Sequence, residues 1–402
     1  MPKVAIRASA TVAEFLRERR KRLGLSLREV EERTRREGEV IPFSTLARVE
    51  KGRFDPGLRR LHALFRIYEI DFRVAEELLD LEELAGELPA TKDPKTLYEE
   101  GLRHWKAGDL RRGLAHLLAL RAAAPDGRAS RAERQKRLLS LATVVGSLGR
   151  YRLSRQIVEE LLLEPPEESV LVRVLVQAAD CWNWLGSGEA ALGFLSRAEA
   201  HVPEGAHRER AWVFHERAST LASLGRHADS ADALNVALAA YRTAKDTHGE
   251  GRALGVAVRL RAERQDWAGA AKAARAAREH AVAHGHARLR TMRTIDLGRA
   301  LIAIGDQAGG LNALNQGLSE SIAEQDSLCQ FYAHFYLWKA HLEAGNLDRA
   351  EVELGNARYH LRFVDEQTPE TIEVRSLGGD RAVTRKETRA RPKKARRGEL
   401  LE

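Results

Sequence analysis

The nine residues LEAGNLDRA, 342–350, carry an Ala-Gly step at Gly345, a polar residue, the bulky Leu347 and the small Ala350 three positions further on. Six more stretches repeat the pattern: WKAGDLRRG (105–113), GSLGRYRLS (146–154), NWLGSGEAA (183–191), ASLGRHADS (222–230), AERQDWAGA (262–270) and IAIGDQAGG (302–310). Their turn positions are Gly108, Gly149, Gly186, Gly225, Gln265, Gly305 and Gly345, spaced by 41, 37, 39, 40, 40 and 40 residues. Self-similarity at a fixed period of this size is the mark of a repeat architecture.

Each unit reads as a helical hairpin. The turn glycine takes a left-handed conformation at little cost and ends the first helix. The small residue (Ala191, Ser230, Ala270, Gly310 or Ala350) lets the second helix approach closely, and leucines and alanines at helical spacing follow, as in DALNVALAAY and NALNQGLSES. One hairpin cannot bury its own apolar face, so neighbours stack into a solenoid with a concave surface. Strand signals are almost absent, and the expected fold class is all-α.

The stretches YEEGLRHWKAGDLRRGLAHL (98–117) and YLWKAHLEAGNLDRAEVELGNA (336–357) resemble tetratricopeptide (TPR) repeats, with Gly101 seven residues before Gly108-Asp109-Leu110, and Gly345-Asn346-Leu347 followed by Ala350 and Ala357. The resemblance spans residues 94–364, about seven hairpins. It departs from the family in its period, near 40 rather than the usual ~34, and in lacking most of the terminal prolines. Longer helices or longer loops must fill the difference, and HEAT-like hairpins have a similar period.

The amino-terminal end follows another pattern. TVAEFLRERRKRLG predicts a first helix with Thr11 as N-cap, Phe15, Leu16 and Leu23 inward, and Gly24 as its end. Ser26 and Glu29 form a capping box for the next helix, with Leu27 and Val30 on the core side. FSTLARVEKG predicts a helix ending at Gly52, with Leu46 and Val49 buried and Phe43, Ser44, Ala47, Arg48 and Lys51 outward. After Pro56, a last helix places Leu58, Leu61, Leu64 and Ile67 in the core.

The order LSLREV (25–30) and IPFSTLARVEKGRFDPGLRRLHAL (41–64) resembles the Xre-type helix-turn-helix of the lambda and Cro repressors, over residues 11–72. The resemblance implies a DNA reader. Ser26 caps the positioning helix, whose amino end meets phosphates together with Leu27 and Arg28. Phe43, Ser44 and Arg48 reach base edges, and Arg48 suits guanine because its fork matches two major-groove acceptors. Thr45, Lys51 and Arg53 contact the backbone. The family usually carries Gln or a similar residue where Leu27 stands, and the turn TRREGEVIP is about four residues longer than usual. The added Arg35 and Arg36 either touch the backbone or are solvated.

Charge divides along these lines. Residues 1–66 hold 17 Lys/Arg against 9 Asp/Glu, residues 375–402 hold 10 against 4, and the middle holds 39 against 45. Basic ends around a mildly acidic centre suggest polyanion contact at the ends and another task between them. Residues 73–93 read as a connector and residues 365–402 as a basic, disordered tail, either adding sequence-independent DNA affinity or aiding solubility. No secretory signal or membrane-length apolar run is evident, so a cytoplasmic protein is expected. Cys181 and Cys329 make no metal or redox spacing, and no phosphate loop, HExxH or nucleophile elbow is present. Neither an enzyme, a cofactor nor a metal is expected.

An Xre-type reader joined to TPR repeats resembles bacterial regulators in which the repeats dimerise the protein and sense a peptide or protein partner. The expected partners are double-stranded DNA, a second copy of the chain, and a ligand held in the groove. Counting back from each turn assigns Arg173, Asp180, Asn183, His215, Arg252, Arg259, Asp296, Tyr332, Phe335 and Lys339 to the groove. The alternative is an interaction scaffold whose helix-turn-helix is vestigial or a protein-docking module.

Overall fold

The computed structural model describes residues 10–70, 89, 91, 93–123 and 130–377. All regular structure among them is α-helical, in nineteen helices. The amino-terminal four are α1 (Ala10–Arg22), α2 (Leu27–Arg36), α3 (Phe43–Val49) and α4 (Gly57–Ile67). The hairpins follow as α5 (Pro94–Ala107) with α6 (Leu110–Ala123), α7 (Arg131–Ser147) with α8 (Tyr151–Leu163), α9 (Glu168–Trp184) with α10 (Gly188–Ala200), and α11 (His207–Ser223) with α12 (His227–Thr243). Three more are α13 (Thr247–Glu263) with α14 (Trp267–Ala283), α15 (Ala287–Ala303) with α16 (Gln307–Ala323), and α17 (Ser327–Glu343) with α18 (Leu347–Leu361). A short α19 (Pro369–Ser376) ends the described chain.

All seven turn positions have positive φ, Gln265 included at 59°. A second series, Gly205, Lys245, Gly285 and Gln325, marks the turns between hairpins. From α11 to α17 every helix has 17 residues and every connection three, which makes the 40-residue step. The extra length over a TPR unit therefore lies in the helices and not in the loops. Ala191, Ser230, Ala270, Gly310 and Ala350 are all buried against the first helix of their hairpin. At Gly310 an added Cβ would lie 2.9 Å from the backbone nitrogen of Ile302, so the helices cross too closely for any side chain there.

Several details of the small helices differ from expectation. α1 already includes Ala10, so Thr11 lies inside the helix and not at its cap. Leu58 is 73% exposed, because α4 begins only at Gly57 and its first turn overhangs the core that Leu64, Phe65, Ile67 and Tyr68 fill. Arg35 and Arg36 lie on α2 and pair with Glu31 and Glu32 one turn back, so the added residues extend the helix. Residues 365–377, expected in the tail, are ordered as a strap and α19. The rest of the tail and nearly all of the 73–93 connector lie outside the described residues.

The solenoid coils until it meets itself. Arg288 of α15 donates to the Ser147 carbonyl at 2.7 Å, and Trp105 of α5 meets the ring of His248 on α13 at 5.4 Å. The strap completes the closure: Asp365 N donates to the Gly149 carbonyl at 2.9 Å and Gln367 N to that of Trp184 at 2.8 Å. What the sequence suggests as an open groove is thus a ring around a cavity of about 1540 Å³. One continuous apolar cluster joins Leu16 and Phe65 of the small helices to Leu97, Leu114 and Val145 of the first hairpins.

Candidate functional site

Two surfaces hold the candidate residues. The first is built on α2 and α3. Ser26 accepts from Glu29 N at 3.2 Å and Glu29 accepts from Ser26 N at 2.7 Å, so the capping box forms. The Ser26 backbone N–H donated to the carboxylate, with the Ser26 hydroxyl beside it, holds the Glu29 carboxyl below its ordinary value, and the amides of Leu27 and Arg28 remain as first-turn donors. Pro42 cannot cap α3 with its own side chain; Glu31 of α2 does so instead, accepting from Phe43 N at 3.0 Å. Thr34 accepts from Ile41 N at 3.2 Å and anchors the lengthened turn. Arg20 grips Glu50, just past α3, with two bonds of 2.6 and 2.8 Å, which fixes the helix to α1. Sequence periodicity missed Arg20 and Glu50, because both are charged residues spent inside the domain.

On this frame Leu46 and Val49 are buried while Phe43 stays 48% exposed, with Ser44, Arg48, Lys51 and Arg53 also exposed and Thr45 half-buried. Arg28 lies over the Phe43 ring at 5.8 Å, bringing the amino ends of α2 and α3 together, and Arg48 lies over Phe54 at 5.2 Å. Among the described residues no carboxylate pairs with Arg28, Arg48, Lys51 or Arg53. Four cations without acidic partners among the described residues, Arg28 in the first turn of α2 and Arg48, Lys51 and Arg53 at and beyond the carboxyl end of α3, form an anion-attracting face.

The second surface is the cavity wall. Eight of the ten groove candidates line it; Phe335 packs instead against Phe331 and Trp338, and Lys339 turns to Glu373 of α19 at 3.0 Å. Arg252 donates to Glu216 at 2.9 Å and keeps 37% of its side chain open to the cavity. Arg259 holds the Ser219 carbonyl at 2.8 Å and lies over Trp184, while Arg173 lies over Trp212. Burial, then the neighbouring Glu216, raises the Asp180 carboxyl well above the ordinary range, and Asp180 accepts from Gln177 Nε2 at 3.2 Å. Burial, then Arg252, pushes the His215 imidazole down, so it is neutral, and Tyr241 lies 3.3 Å from it. Asn183 is buried, its amide nitrogen near Ser219 and its carbonyl oxygen without a partner. Asp296 is engaged by Arg293 at 3.2 Å, and Tyr332 donates to Glu366 of the strap at 2.5 Å.

The two surfaces are connected through α8. At its amino end, which lacks a local side-chain cap, Asp365 of the strap accepts from Arg152 N at 2.9 Å and pairs with the Arg152 guanidinium. Near its other end the buried Glu160 pairs with Arg22 of α1 and faces Arg121 of α6 at 3.9 Å. Burial raises the Glu14 carboxyl at this junction, with Arg121 opposing the shift.

Residues 16–74 match the family model described as helix-turn-helix. An Xre-like helix-turn-helix, the DNA-binding class, thus stands ahead of a TPR-like α-solenoid. Among solved structures, a Rap protein complexed with competence and sporulation factor is similar at a TM-score of 0.55 and 11% identity, over 71% of this chain and 81% of that one. The apo form of RapI is similar at 0.49 and 13%, over 67% and 98%. Bacillus thuringiensis PlcR in complex with the peptide PapR7 and DNA is similar at 0.41 and 12%, over 69% and 97%. At such identity the likeness concerns the fold. No curated protein sequence matches the chain.

Proposed function

We propose that the protein is a sequence-specific DNA-binding transcriptional regulator whose ring of repeats senses a peptide or protein segment and mediates dimerisation. Arg28, Arg48, Lys51 and Arg53, which meet no carboxylate among the described residues, carry the DNA reading: four exposed positive charges on one face suit a polyanion better than a protein-docking surface. In this reading Phe43, Ser44 and Arg48 meet base edges, while Ser26, Arg28, Thr45, Lys51 and Arg53 hold the backbone. Two copies would set their recognition helices on half-sites about 34 Å apart. The unpaired carbonyl of Asn183, with Arg173, Arg252 and Arg259 on the same wall, suits the amides and carboxylates of an extended peptide.

Coupling runs through α8. A ligand that alters the strap alters the cap of a helix whose far end holds the reader, about 12 Å away at 1.5 Å per residue. The ligand must bind the strapped and unstrapped states with different affinity.

Binding to duplex DNA at graded salt tests the reader. Arg48→Ala should lose about 1–3 kcal/mol for a selected site while keeping affinity and salt slope on random duplex; equal loss on both would make Arg48 a mere charge. Asp365→Ala should change DNA affinity without touching the reader. An unchanged affinity in that variant would end the coupling idea and leave the DNA reading intact.

A further inference from the structure

The sequence offers no metal spacing among its cysteines, yet the first hairpin brings Glu100 and His104, one turn apart on α5, against His116 of α6. One ligand atom from each lies within 4.8 Å of the others. We propose that Glu100, His104 and His116 form a zinc site clipping α5 to α6, with a fourth position open to water or to a further ligand.

Geometry and orientation support it. Tetrahedral zinc at about 2.0 Å from each donor holds those donors roughly 3.3 Å apart. His116 Nε2 and Glu100 Oε2 are already at 3.8 Å. Glu100 keeps 41% of its side chain exposed and, apart from His116, pairs among the described residues with Arg103 at 3.2 Å, so a small side-chain shift closes the gap. The imidazoles of the half-buried His104 and the buried His116 pack with their centroids 5.1 Å apart. His116 uses Nδ1 on the Arg112 carbonyl at 2.8 Å, which leaves Nε2 with its lone pair toward the site. Asp109 Oδ2 stands 3.6 Å from His104 Nδ1, the place of the outer carboxylate that orients a ligating histidine. Two imidazoles and one carboxylate are the donors zinc takes, and they do not suit magnesium or calcium.

A second histidine group, His248, His280, His284 and His286, lies at the turn before α15, but there His280 and His286 already engage the carbonyl and hydroxyl of Thr247. It provides the control. Calorimetric titration of zinc chloride into metal-stripped full-length protein should show one tight site per chain. His104→Ala and Glu100→Gln should each weaken it more than tenfold and Asp109→Asn about tenfold, while His284→Ala leaves it unchanged. Zinc should also raise the melting temperature of the wild type and not that of Glu100→Gln, whose exposed side chain can be changed without risk to folding. Absence of a saturable site, a site indifferent to His104 and Glu100, or one lost in His284→Ala would each overturn the assignment.

Discussion

Gln265 holds a left-handed backbone that its six counterparts leave to glycine. A side chain there costs about 1 kcal/mol, since Cβ crowds the carbonyl, and the residue is exposed, so no packing compensates. Gln265→Gly should therefore stabilise the protein by about 0.5 kcal/mol, part of the gain being offset by the freer unfolded chain. A chemical denaturation midpoint that falls instead would show that the side chain contributes something the backbone argument omits. The position was legible in the sequence from spacing alone, because a turn that recurs every 40 residues demands its conformation whichever residue occupies it. Leu58 shows the opposite case. Its spacing fits the core stripe of α4, but a helix's first turn is set by where the chain enters, which periodicity does not encode.

Among elements, the hairpins were legible and the contacts that orient them were not. Leu46 and Val49 mark the buried side of α3 by their three-residue interval, and the outward set follows from it. What holds α3 at both ends is charged: Glu31 caps its start and Arg20 grips Glu50 beyond its end. The Arg20–Glu50 pair is largely buried, at 14% and 7% side-chain exposure, and removing one partner of such a pair strands the other. Glu50→Ala should lower the local opening free energy of α3 by on the order of 3 kcal/mol, read as faster amide exchange of Leu46 to Val49. Exchange as slow as in the wild type would mean that the apolar contacts of Leu46 and Val49 suffice to hold the recognition helix. α19 escaped the sequence reading for a related reason. It has few apolar residues, and its acids Glu370 and Glu373 are held by Tyr336 and Lys339 one layer below.

At the scale of the molecule, closure of the ring depends on pairs far apart in sequence, Arg288 with Ser147 and Asp365 with Arg152, separated by 141 and 213 residues. Periodicity carries no information on such pairs, so the ring and its strap emerge only in three dimensions. The strap also makes closure sensitive to pH. Burial pushes the Glu366 carboxyl from its ordinary 4.5 up to about 7, where Tyr332, Arg288, Glu370 and Arg259 surround it. The folded state thus keeps a proton that the unfolded chain releases. This contribution is full below about pH 4.5, is lost as pH rises toward 7 and changes no further above it, falling by about 1.4 kcal/mol for each pH step within that window. Buried histidines oppose the trend, since burial pushes His248 down to about 3 and it must charge on unfolding in acid. The carboxyl is isolated by comparison with Glu366→Gln, which keeps the shape and removes the titration. The stability of the wild type relative to the variant should fall between pH 5 and 7, with Asp365–Arg152 loosening alongside, read as faster amide exchange at Arg152. Parallel stability curves for the two proteins over that interval would mean that Glu366 is ionised throughout, stabilised by Arg288 and Arg259, and that the strap is closed by charge rather than by a retained proton.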